Sequence, residues 1–87
     1  MENKIYTADG FEEALIGYTY TEDGVRVIYN RNMCIHILMT RDGMDRDEAE
    51  DFFSYNVEGS IIKGGPFYMN PINSEDLNDL VDEEFFG

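Results

Sequence analysis

Two runs of β-branched and aromatic residues, Thr19-Tyr20-Thr21 and Val25-Arg26-Val27-Ile28-Tyr29, flank the turn signal Glu22-Asp23-Gly24. Together they predict a β-hairpin. Ahead of it, residues 11–16 lie between Gly10 and Gly17. They fit either a short helical turn or the start of the first strand.

Asn30 to Asn32 offer N-cap side chains for a helix over residues 33–41, which Gly43 then stops. Met33, Cys34, Ile35, Ile37, Leu38 and Met39 make that helix apolar around most of its circumference, so it belongs at the centre of the core. A second helix begins at Asp45, with Glu48 at the capping-box spacing and Met44 placed as a hydrophobic staple. Its apolar face is Ala49, Phe52, Phe53 and Asn56, and its polar side carries Asp47, Glu50, Asp51 and Ser54. Ile35, Leu38, Phe52 and Phe53 are the expected core.

Further on, Ser60-Ile61-Ile62-Lys63 predicts a strand, Gly64-Gly65 a tight turn, and Pro66-Phe67-Tyr68-Met69 a short edge-like segment. A loop follows from Pro71. A last amphipathic helix is expected over residues 75–84, with Leu77, Leu80 and Val81 as its apolar stripe. The expected fold is α+β in one domain over residues 1–87: a small, mostly antiparallel sheet with two or three helices packed on one face.

Charge changes the picture most. The 87 residues hold 19 Asp and Glu against six Lys and Arg, a formal net charge of -13. Phosphates and anionic membrane surfaces would be repelled, so neither nucleic acid nor a membrane is an expected direct partner. A hydrophobic content of 43% with 14% aromatics is too high for a disordered acidic tail. Cys34 is the single cysteine and can make no internal disulfide. With no apolar run of signal-peptide type near the start, the expected location is the cytoplasm.

The candidate chemistry is sparse. His36, the one histidine, lies two residues from Cys34, so the two point to different faces of one helix and cannot form a thiolate–imidazole pair. One Cys and one His do not make an ordinary zinc site. Taking Gly43 as the sixth position of a calcium loop would put Leu38 first, where no ligand is available. Gly64-Gly65 lacks the context of a phosphate-binding loop. No cofactor, metal or catalytic residue is therefore expected. What remains is acidic surface: Glu75, Asp76, Asp79, Asp82 and Glu83 on the last helix, and Asp47, Glu50 and Asp51 on the second. On a helix, side chains three or four apart lie about 5–6 Å apart at Cβ, inside the screening length of physiological salt. Such an array can enter a basic groove built for nucleic acid.

Residues 10–17 (Gly-Phe-Glu-Glu-Ala-Leu-Ile-Gly), 34–39 (Cys-Ile-His-Ile-Leu-Met), Asp42-Gly43-Met44, Glu48-Ala49, and Phe52 through Asn56-Val57-Glu58-Gly59 carry a resemblance. Over residues 10–69 the chain resembles a widespread group of small uncharacterised proteins of bacteriophages and bacterial genomes. That resemblance implies no activity. A Thr-Pro-x-Phe ending common in the group is replaced here by Gly65-Pro66-Phe67, and the acidic segment after Pro71 is an addition.

Charge, size and resemblance together predict a non-enzymatic acidic protein-binding module. The reading is a phage-type DNA mimic that inhibits a basic nucleic-acid-binding host defence complex, either CRISPR or restriction, in the host cytoplasm. The alternatives are a small structural or housekeeping phage domain without inhibitory role, or a carboxylate-based enzyme.

Overall fold

A computed structural model describes residues 4–60 and 62–77. The fold is α+β, with a three-stranded mixed sheet in the order β1-β2-β3. Residues 11–16 satisfy both expectations in turn. A 3₁₀ turn, Glu12–Ala14, is closed by the Ala14 N–H donating to the Phe11 carbonyl at 2.9 Å, and it runs straight into β1, Leu15–Thr21. β1 pairs antiparallel with β2, Gly24–Asn30.

The connection is local chemistry. Glu22 and Asp23 keep negative φ while Gly24 takes +103°, a left-handed position that a side chain would strain. The Thr21 hydroxyl accepts from the Asp23 N–H at 3.1 Å and donates to the Gly24 carbonyl at 2.9 Å. Near the other end, Leu15 pairs with Tyr29 and Gly17 with Ile28, so Ile16 is the extra residue of a β-bulge.

The chain leaves β2 directly into α1, Arg31–Asp42, with the Asn30 side chain accepting from the Met33 N–H at 3.0 Å. Gly43 ends it in the left-handed conformation, φ 73°, with its N–H on the Leu38 carbonyl. α1 turns Cys34, Ile35, Ile37 and Leu38 inward, while Asn32, Met33, His36 and Thr40 face out. The expected capping box forms at α2, Arg46–Phe52. Asp45 Oδ1 accepts from the Glu48 N–H at 2.9 Å, and Glu48 Oε1 accepts from the Asp45 N–H at 3.0 Å. Met44, just ahead of the cap, is half-buried against the core cluster that includes Ala49.

Two expectations fail here. Phe53 is fully buried as predicted, but Phe52 is 39% exposed and outside the core. Within α2 the inward line runs through Ala49 and Phe53, one turn apart, with Glu50 half-buried beside it, and Phe52 lies on the flank of that face. From Phe53 the chain winds as a π-helical segment, Phe53–Glu58, in which Val57 is half-buried and Asn56 exposed. Of the strand expected at residues 60–63, Ser60, Ile62 and Lys63 are not in a strand, and Ile61 lies outside the described residues. Ser60 is still tied to the preceding helical segment through its N–H on the Val57 carbonyl and its hydroxyl on the Asn56 carbonyl. Ile62 and Lys63 already belong to the turn that the Gly65 N–H closes on the Ile62 carbonyl at 3.0 Å.

β3, Phe67–Met69, is the expected short segment, but it lies parallel to β2. The helices between them supply the crossover that parallel pairing requires. On the inner sheet face Tyr29 stacks on Tyr68 at 5.7 Å, and Tyr68 meets Phe53 edge-on at 5.0 Å. Phe11 closes the cluster from the N-terminal side, edge-on to Phe53 at 5.9 Å. The Tyr29 hydroxyl accepts from the Ala8 N–H at 2.9 Å, so this buried phenol has a partner and the N-terminal segment is tied to the sheet.

Candidate acidic interface

The placement of the cations explains the surface. Arg31 makes a two-pronged contact with Glu58, Nε to Oε2 at 2.9 Å and Nη2 to Oε1 at 3.2 Å, while its guanidinium lies 5.4 Å from the Phe53 ring centre. Arg41 grips Asp42 through Nε and Nη2, each at 3.0 Å. It also donates to the Gly10 carbonyl and lies 5.6 Å from the Phe11 ring centre. Arg26 sits 3.9 Å over the Phe67 ring and donates to the Gly65 carbonyl at 2.6 Å. Arg46 pairs with Glu50 one turn along α2. All four arginines thus serve contacts within the domain, three of them against aromatic rings.

The acids left without such partners define the surface. Asp47 and Asp51 stand four apart on the exposed side of α2 with no ion pair among the described residues. Tyr55 follows four residues later and is 85% exposed, and Asp51, Ser54 and Tyr55 line one shallow depression. The structure therefore brings Asp47 and Asp51 into one stripe with Tyr55. It places Glu50 off that stripe, half-buried and held by Arg46 at 3.2 Å. Glu75 and Asp76 are exposed on a helical turn at residues 74–77. That turn begins at Asn73, whose Oδ1 accepts from the Asp76 N–H at 2.8 Å. Among the described residues, no hydrogen bond or ion pair links them to α2. Asp79, Asp82 and Glu83 lie outside the described residues, as do Leu80 and Val81.

Two carboxyls among the described residues are displaced from their ordinary range. Glu12 is held below the usual carboxylate range by its own backbone N–H and that of Gly10, and Asp42 by the hydrogen bonds from Arg41. A carboxyl acting as general acid needs the opposite shift. Cys34 is fully buried, and removal from water pushes its thiol up to about 11, which suppresses the reactive thiolate. His36 is exposed on the opposite side of α1. Among the described residues no three His, Cys, Asp or Glu side chains are grouped to hold a metal ion, and no helix is long and apolar enough to cross a membrane.

Sequence reasoning missed Tyr55 and the arginine–aromatic contacts. Tyr55 was signalled by its spacing of four from Asp51, but the arginine partners come from distant parts of the chain. No family model matches this chain, and no curated protein or solved structure matches it.

Proposed function

We propose that this protein is a non-enzymatic acidic binding module that occupies the nucleic-acid groove of a basic protein. The supporting observation is the exposed stripe of Asp47, Asp51 and Tyr55 on a surface whose arginines are all engaged internally. Two carboxylates one turn apart present charge about 5–6 Å apart, a scale comparable to phosphates along a strand. The capping box at Asp45 and the Arg31–Glu58 pair fix both ends of the presenting segment, which keeps the array rigid. An exposed tyrosine beside the charges adds contact area at low entropic cost, as in many binding hot spots. Taken together, the charge, the small size and the resemblance of residues 10–69 to small phage proteins favour a host defence complex that binds DNA or RNA as the partner.

The test is charge reversal. Asp47→Lys with Asp51→Lys should leave the circular-dichroism spectrum unchanged, since both side chains are exposed. It should abolish capture of basic nucleic-acid-binding proteins from a bacterial lysate. Equal capture by the variant and the unaltered chain would refute the assignment of this stripe.

A further inference from the structure

β1 is the outer strand of the sheet, and among the described residues nothing pairs with its free edge. Its seven residues, Leu-Ile-Gly-Tyr-Thr-Tyr-Thr, carry no charge in a chain of net charge -13. The helices cover the sheet around Tyr29 and Tyr68, and the outer strand is left bare. Leu15 and Ile16 are each 48% exposed, Tyr18 60% and Tyr20 75%. Tyr18 and Tyr20 stand on one face with their rings edge-to-face at 5.6 Å. An edge strand normally carries a charge, a proline or a twist that discourages pairing. Here the bulge at Ile16 is confined to one end, and residues 17–21 keep regular register. Such an edge can accept one more strand, with main-chain hydrogen bonds giving affinity and alternate side chains giving selectivity.

The charges around the edge select the occupant. Glu12 and Glu13 precede β1, and Glu22 and Asp23 follow it. An antiparallel pairing of two copies centred on Tyr18 would set Asp23 of each opposite Glu13 of the other, with Glu22 and Glu12 close by. Like charges meeting at both ends disfavour a second copy. The local cations do not remove this bias: Lys63 lies 3.7 Å from Asp23 but is itself 86% exposed, a surface pair of small value. We infer that β1 is a docking edge for an extended segment of another protein, with β-branched or aromatic residues at its centre and Lys or Arg at both ends. This adds a second contact surface to the reading above and rests on it only for the basic character of the partner.

The experiment uses the full chain, isotope-labelled, and three synthetic peptides. The first alternates valine and threonine between paired lysines, the second replaces those lysines with glutamates, and the third keeps the lysines around a Gly-Ser centre. Amide shifts and hydrogen exchange are followed during titration. The first peptide should perturb residues 15–21 and slow exchange at alternate amides there. It should bind at least about tenfold tighter than either other peptide. Tyr18→Ala with Tyr20→Ala, two exposed positions, should weaken it about tenfold or more. Asp47→Lys with Asp51→Lys should leave it unchanged, which separates this edge from the α2 stripe. The inference is overturned if the Gly-Ser peptide binds equally well, if the perturbation centres on α2, or if the protein alone dimerises with β1 amides already protected.

Discussion

Replacing Phe53 by alanine removes the side chain on which both helical windings and the sheet converge. Phe53 is fully buried, meets Phe11 and Tyr68 edge-on at 5.9 and 5.0 Å, and lies under the Arg31 guanidinium. Truncating a buried Phe costs about 3–5 kcal/mol through lost burial and the cavity left behind. The two aromatic pairs and the cation contact place Phe53 at the upper end of that range. Global stability near 0.1 kcal/mol per residue gives about 9 kcal/mol here, so Phe53→Ala should fold but lose roughly half its stability. Phe52, the next residue, is 39% exposed, and Phe52→Ala should cost only about 1 kcal/mol. Urea denaturation of both variants, with the slope checked for constancy, measures the difference. A Phe52→Ala cost equal to or above that of Phe53→Ala would refute this helix phasing, in which Ala49 and Phe53 face the core and Phe52 lies on the flank.

Arg31→Gln should destabilise by about 1–2 kcal/mol, because it breaks a two-pronged, partly buried ion pair and leaves Glu58 uncompensated. Thermal melts in low and high salt should show that cost shrinking as salt rises. Cys34 should resist alkylation in the folded protein and react at the rate of unfolding in urea. Folding raises its pKa from 9.0 to about 11, so the native state retains a proton the unfolded chain has lost. Stability is therefore fully present below pH 9 and falls by up to about 2–3 kcal/mol as pH rises to 11. Burial raises Tyr68 to about 12 and extends the decline. Melting temperatures from pH 8 to 11 should fall more steeply for the unaltered chain than for Cys34→Ala; parallel slopes would contradict the assignment.

The readable parts of the sequence were those decided by neighbours in the chain. The hairpin, the Asp45–Glu48 capping box and the Gly43 stop each depend on residues within a few positions, and each forms as the pattern predicted. The α+β class follows from them. Phe52 reads as core because it shares a broad apolar arc with Phe53, whereas the inward line through Ala49 and Phe53 leaves it on the flank. At Ser60, Ile62 and Lys63 a propensity for strand is overridden by the turns that hold them. The parallel direction of β3 and the stacking of Arg26 on Phe67 depend on chain segments about forty residues apart, beyond any local pattern. In the candidate site, Asp47 and Asp51 were legible from helical spacing. The pairing of Glu50 with Arg46 is equally legible, at a spacing of four.

If the α2 stripe occupies the place of nucleic acid on a basic partner, as proposed, the two must compete for one groove. The direct measurement is displacement of a fluorescently labelled DNA duplex from a captured partner protein, followed by anisotropy as this protein is titrated in at fixed salt. Displacement should be complete and should weaken steeply as salt is raised, with none by Asp47→Lys/Asp51→Lys. A ternary complex, in which this protein binds while the DNA anisotropy stays high, would contradict it.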